Sequence, residues 1–253
     1  LHPIHAPFCV EFSGLIIKIL NYQASFFGDF STLKATEENI SMFLNKLNKF
    51  IFMPMPMTSI DIRTNKLMVD NRMQFLSSDR NYFITILPER IDFTYNYNPQ
   101  TTSLTDFKEI QKNILTFIEL LESNLSGTKG NRIANSTLFV LNTFQDRTKL
   151  NDFIKKFSNK SIFYQDENDI IEWQLRYNSR RNIVANDKAE NSNAIINLNI
   201  PNNPELNNSV LMSVDINTDP RNNSPRFVIN DLDDYVKNAT PVFVELENKA
   251  KND

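Results

Sequence analysis

Apolar side chains recur along this chain with two periods, and each period predicts an element. Alternation marks strands: Phe8, Val10 and Phe12 against Cys9 and Glu11, then Ile60 and Ile62 against Asp61 and Arg63. Thr64-Asn65-Lys66 reads as a turn, after which Met73 and Phe75 alternate with Arg72 and Gln74. The clearest pair is Tyr82, Ile84 and Ile86, then, across Pro88-Glu89-Arg90, Ile91, Phe93, Tyr95 and Tyr97 against Asp92, Thr94 and Asn96. Proline at a turn position between two such runs predicts a hairpin. A 3–4 spacing predicts helices. Thr36-Glu37-Glu38 opens one with Ile40, Phe43, Leu44, Leu47 and Ile51 on one side. A second covers 103–125, with Phe107, Ile110, Ile114, Phe117, Ile118, Leu121 and Leu125 opposite Lys108, Gln111, Lys112, Glu119 and Glu122, and Gly127 and Gly130 close it. An apolar, Phe-rich run reaches Phe30 between the first strand and the first helix.

The rest of the chain begins the same way. Residues 133–144 predict a strand, and Thr148 is placed to cap a short helix with Leu150, Phe153, Ile154 and Phe157 turned inward. A short strand at 161–164 follows, then Ile171, Trp173, Leu175 and Tyr177 in alternation, with 182–185 as the returning strand. Ile196, Leu198 and Ile200 mark another strand; Val210, Met212, Val214 and Ile216 mark the last. The closing helix carries Leu232, Tyr235, Val236, Ala239, Phe243 and Leu246, with Pro241 expected to kink or split it. The order strand, helix, four strands, helix therefore occurs twice, over 1–127 and 128–253. The prediction is an α+β protein of two similar halves. That order resembles the TATA-box-binding-protein-like fold, and the resemblance implies a continuous, largely antiparallel curved sheet with helices on one face. It implies an architecture and not a DNA-binding function.

Composition narrows the chemistry. With 253 residues, 41% hydrophobic and 20 of them Phe, the chain can bury a sizeable core. Its glycines stand only at 14, 28, 127 and 130, which leaves no phosphate-binding loop and no dinucleotide fingerprint. Ser126-Gly127-Thr128-Lys129-Gly130 reads as a helix end. Cys9 is the single cysteine, and His2 and His5 are the only imidazoles, so neither an intrachain disulfide nor a Cys/His zinc site can be assembled. The longest apolar stretches, 14–20 and 114–121, fall short of a membrane span, and the opening segment lacks the features of a signal peptide. A cytoplasmic protein without cofactor or metal is the expectation.

Acidic clusters are the remaining catalytic candidates. Asp166-Glu167-Asn168-Asp169 reads as a solvated loop and 231–234 as a helix start rich in Asp. Asp215-Ile216-Asn217-Thr218-Asp219 mimics half a calcium loop, but Pro220 stands where Gly is needed and Arg226 where a carboxylate should close the site. A strand-end turn is the simpler reading, and a metal-dependent hydrolase around Asp215 and Asp219 is the third-ranked function.

For binding, Trp173, Arg176, Tyr177, Arg180 and Arg181 predict a basic and aromatic lip on one hairpin. The polar strand positions, Glu11, Asp61, Arg63, Arg72, Gln74, Asp92, Thr94, Asn96, Glu172, Gln174, Arg176, Asn197, Asn199 and Asp215, predict an amide-rich face lacking phenylalanine wedges. At Pro7-Phe8-Cys9-Val10, Met73-Gln74-Phe75, Arg90-Ile91-Asp92-Phe93, Arg132-Ile133-Ala134 and Met212-Ser213-Val214-Asp215, the chain also resembles a sporadically distributed family of prokaryotic proteins of about this length. That family has no assigned activity, so the resemblance implies a microbial accessory protein and carries over no catalytic residue. With a net charge of -3 and no extended basic stripe, the sequence favours a non-enzymatic interaction module. Its expected partner is a protein or a second copy of the chain, with nucleic acid on the polar face as the alternative.

Overall fold

The computed structural model describes residues 18–61, 66–100, 106–158, 172–202, 206 and 208–252. The strands predicted at 8–12 and 161–164, the turn at 64–66, the loop at 166–169, and Cys9, His2 and His5 lie wholly or mainly outside them. The described strands are β1 (Lys18–Gly28), β2 (Met53–Asp61), β3 (Lys66–Leu76), β4 (Tyr82–Leu87), β5 (Arg90–Asn96), β6 (Gly130–Thr143), β7 (Gln174–Ala185), β8 (Lys188–Asn199) and β9 (Ser209–Thr218). Four helices join them: α1 (Glu37–Leu47), α2 (Phe107–Leu125), α3 (Arg147–Ser158) and α4 (Ile229–Asn252). The strands form one antiparallel sheet in the order β2-β3-β4-β5-β1-β6-β9-β8-β7. The Phe-rich run before Phe30 thus supplies the middle of the sheet, with β1 paired to β5 on one side and β6 on the other.

Alternation decides which side chains meet the helices. On β5, Ile91, Phe93 and Tyr95 enter the core while Arg90 and Asn96 turn away. One apolar cluster joins these strand residues to Phe43 and Leu47 of α1, Ile114 and Phe117 of α2, Leu150 and Ile154 of α3, and Tyr235 and Phe243 of α4. Ring contacts show the fit: Phe117 meets Phe50, Phe52 and Tyr82 nearly edge-on at 4.9, 5.2 and 5.4 Å. Such geometry aligns ring edges with ring faces and adds to area burial.

Each helix start is held by a side-chain oxygen. Thr36 caps α1 through Asn39 N–H, and Asp106 caps α2 through Lys108 N–H. On α3 the capping oxygen is Asp146 Oδ1, which accepts from Lys149 N–H at 2.9 Å, so the cap falls two residues before the predicted Thr148. Asp231 reaches back to Val228 N–H at 2.8 Å from the first turn of α4.

Pro241 does not split α4, which runs unbroken past it. The proline removes the donor to the Lys237 carbonyl, and one residue earlier Thr240 Oγ1 donates to the Val236 carbonyl at 2.9 Å. Gln111 of α2 hydrogen-bonds Thr240 and reaches the same carbonyl at 3.5 Å, tying the two helices together beside the missing bond. Gln111, predicted to face solvent, is therefore an interhelical contact.

The segment 182–185 is also corrected: it continues β7 instead of returning from it. Ile183 and Ala185 are buried, and the chain turns at Asn186 and Asp187 with φ of 49° and 58°. Two consecutive positive φ values in a two-residue loop between the Ala185/Lys188 pair are the type I′ geometry that hairpins favour. The return strand opens on Lys188–Asn193, a polar run with no alternation of its own.

Gly130 starts β6 where no side chain fits. A Cβ there would lie 2.6 Å from both the Phe26 ring and the Phe27 carbonyl. Its own N–H donates to the Phe227 carbonyl at 2.8 Å and its carbonyl accepts from Phe227 N–H at 2.9 Å, docking the α4 approach onto the sheet.

Candidate functional site: the helix-free face of the sheet

The face turned away from the helices, free of helix among the described residues, carries side chains in register rows that cross the sheet. One row runs Asp92, Ser25, Ala134, Asn217, Asn193 and Arg180 from β5 to β7. The next runs Thr94, Gln23, Ser136, Asp215, Ile195 and Asn178, and a third Asn96, Asn21, Leu138, Ser213, Asn197 and Arg176. Neighbours in a row bond laterally. Asn21 Nδ2 donates to Asn96 Oδ1 at 2.7 Å and Asn193 Nδ2 to Asn217 Oδ1 at 3.3 Å, while Gln174 Nε2 reaches diagonally, one outward position along, to Asn197 Oδ1 at 2.9 Å. The surface is thus a lattice of amides and hydroxyls fixed by strand spacing.

At its centre, Gln23 Nε2 donates to Ser25 Oγ at 2.9 Å and Ser25 Oγ donates to Asp92 Oδ1 at 2.6 Å. Arg90 Nε takes the other oxygen, Oδ2, at 2.8 Å. Asp92 is 6% exposed, and both its oxygens are engaged. The neighbouring row is Arg90, Phe27 and Arg132, three successive register partners. The Arg132 guanidinium carbon lies 3.6 Å from the Phe27 ring centroid and that of Arg90 lies 5.8 Å from it. Cations over a ring face are drawn to its negative quadrupole. Arg132 Nε is covered and has no hydrogen-bond partner among the described residues. Burial lowers the pKa of Arg132, opposed by Asp215 and reinforced by Arg90. Asp215 is pushed above the usual carboxylate range by burial, against the pull of an Asn217 hydrogen bond and of Arg132 and Arg176.

The residues singled out from the sequence divide between two faces. Arg176 and Arg180 lie on the helix-free face, in rows with Asn197 and Asn193. Arg181 points the other way and pairs with Glu245 of α4 at 3.2 Å. Tyr177 shares its phase and is 60% exposed, while Trp173 packs against Phe157 of α3 at 5.9 Å. The lip is thus drawn apart, its two outward arginines on one face and its aromatics on the other. Asn96 and Asn197 share a row but stand four strands apart, roughly 19 Å at strand spacing. Asn199 lies in the next outward position along β8, with Gln174 as its partner in β7.

Asp219 lies past the end of β9, where Arg221 donates to it from Nε at 3.0 Å and Arg180 Nη1 sits 3.2 Å away. Those arginine contacts hold its carboxyl far below the usual range. The carboxylate is engaged in closing a turn, with Arg221 N–H also donating to it at 3.1 Å. No grouping of three or more His, Cys, Asp or Glu that could hold a metal occurs among the described residues.

Sequence reasoning missed Phe27, Ser25, Arg90 and Arg132. Arg90 sits two positions before Asp92 and so shares its face, a signal that its assignment to the turn concealed. Phe27 and Phe83 also correct the expectation of a face without phenylalanine: Phe83 is the register partner of Thr94, an outward position, and both rings are half-buried there. A further groove of about 780 Å³ lies between α2 and α4, lined by Lys108, Lys112 and Lys237 together with Glu119, Glu122 and Asp233. Charges of both signs line it, Asp231 and Asp234 included, and Lys237 is already paired with Asp233. No helix among the described residues is long and apolar enough to cross a membrane. No family model matches the chain, and no curated protein matches it.

Proposed function

We propose that this chain is a non-enzymatic binding module, built from two similar halves in the manner of the TATA-box-binding-protein-like fold, that grips an extended polyanion on its helix-free face. The observation that carries the reading is the outward display of Arg90, Arg132, Arg176 and Arg180 against Asp92, Asp215 and Asp219, in a chain whose net charge is -3. Basic groups concentrated on one amide-rich face are the footprint of phosphate neutralisation, with amides left to hydrogen-bond sugars and base edges. The two-halves reading is supported by the strand order, which leads outward from the central pair as β1-β5-β4-β3 and as β6-β9-β8-β7. A serine on the first strand also faces an aspartate on the last in each half: Ser25 with Asp92, Ser136 with Asp215. The accessory role implied by the family resemblance fits a module of this kind.

Binding of single- and double-stranded oligonucleotides, measured from low to physiological salt, tests the reading. Affinity should fall steeply with salt, and R176A/R180A should shallow that slope by about one unit for each phosphate no longer neutralised. Absence of binding even at low salt overturns it and returns the face to a protein partner. One observation favours a second reading, self-association: β7 ends the sheet among the described residues and exposes Leu175 and Tyr177 at 39% and 60%. Edge strands of this kind template pairing with another chain. Sedimentation should then show a concentration-dependent dimer that L175E/Y177E abolishes.

A further inference from the structure

Resting on the polyanion reading and sharpening it, we infer that Arg90 of β5 and Arg132 of β6, on the two strands that flank Phe27 of β1, form a site for one phosphate group. The phosphate is that of a nucleic-acid strand, or a free inorganic phosphate.

The argument begins with what holds the two guanidiniums. They are on strands separated only by β1, as register partners of the same residue, Phe27. Like charges this close repel, yet Arg132 is held by ring stacking at 3.6 Å and not by a carboxylate. Its covered Nε has no partner among the described residues, while the side chain as a whole stays partly exposed. A stacked guanidinium has lost its rotamer freedom before any ligand arrives, so its open terminal nitrogens are pre-set donors.

Arg90 is oriented from the opposite side. Its Nε is committed to Asp92, which leaves the far edge of the fork for a second acceptor. Asp92 is turned to other donors, its Oδ1 accepting from Ser25 and its Oδ2 from Arg90. Besides Asp92, the opposing charge at the site is Asp215, whose field reaches Arg132 and Arg176 and whose burial favours the protonated form. Ser136, the register partner of Asp215, and Asn217 stand beside it on the same face and add neutral polar groups to the rim. Two forks over one ring fit the separated oxygens of a tetrahedral anion better than a planar carboxylate, which a single arginine engages on its own.

Calorimetric titration of the full chain with inorganic phosphate in low-salt chloride buffer, alongside a short oligonucleotide, tests this. Phosphate should bind saturably, R132Q should weaken it at least tenfold, and R132K should recover only part, since an ammonium neither stacks flat nor offers a fork. Arginine-directed dicarbonyl modification of the unaltered protein, mapped by mass spectrometry, gives a second readout: phosphate should shield Arg132. Equal shielding by chloride would mean charge screening alone and overturns the site. Phosphate binding with no oligonucleotide affinity leaves the anion site standing and removes the polymer reading. Oligonucleotide binding that R132Q does not change, with Arg132 unshielded by phosphate, overturns the site and leaves the wider face as the binding surface.

Discussion

The two faces of the sheet are made by the same nine strands and hold their side chains by different forces. On the helix side, Phe75, Phe93, Ile84 and Ile133 are wholly or almost wholly out of water and meet helix residues by shape. On the other, Ser25, Asp92, Asn193 and Asn217 meet one another through directional bonds whose spacing the strands impose. Burial is non-directional and scales with area, so the covered face decides whether the chain folds. Hydrogen bonds exchanged with water contribute little net free energy, so the free face can vary in chemistry at small cost in stability. Asn135 departs from this division. It is fully buried on the helix side, and neither of its amide atoms has a hydrogen-bond partner of good geometry among the described residues.

Substitutions chosen from each face would break or sharpen that contrast. Phe117→Ala empties the point where three rings converge and should destabilise the fold by about 3–5 kcal/mol, read as a lower midpoint in denaturant. Asp92→Ala strips two donors of their acceptor on the free face and should cost about 1–3 kcal/mol. If it costs as much as Phe117→Ala, the division between the faces is wrong.

Asp215→Asn has the smallest expected effect and the opposite sign. The folded protein holds the Asp215 proton more tightly than the unfolded chain does, because its pKa is raised by burial. Ionising it therefore removes stability as pH rises from the ordinary carboxylate range through the raised folded value. D215N should be slightly more stable than the parent at neutral pH, and the gain should vanish once the medium is acid enough to protonate Asp215 in both states. A gain that persists unchanged at low pH would point to packing and not to the carboxylate.

Much of the covered face could be read from the sequence, because it depends on periodicity within one element. The β4–β5 hairpin, the apolar stripe of α2 and the composition of α4 all follow from spacing alone. What escaped depends on register between distant strands. Arg90 and Arg132 are 42 positions apart in sequence, and only their shared partner Phe27 brings them together. The lip of Trp173, Arg176, Tyr177, Arg180 and Arg181 failed to form one surface for the converse reason: neighbours in a strand alternate, so proximity in sequence separates them in space. The Phe-rich run of β1 is hard to place from sequence because it is flanked by strands on both sides and apolar at several adjacent positions. The β7 return escaped because polar Lys188–Asn193 offers no hydrophobic cue.

The left-handed pair Asn186 and Asp187 has an influence well beyond its own two residues. The hairpin it closes is twelve residues long on each arm, and the turn sets which residue of one arm lies opposite which of the other. Side chains alternate at every step, so lengthening that loop by a single residue would slide one arm and turn its whole pattern over. Arg176 and Arg180 would then look toward α4, and Arg181 and Tyr177 would take their place. A two-residue corner thus acts as the address label for charges delivered roughly 20 to 33 Å away along the strand, by the usual rise of about 3.3 Å per residue.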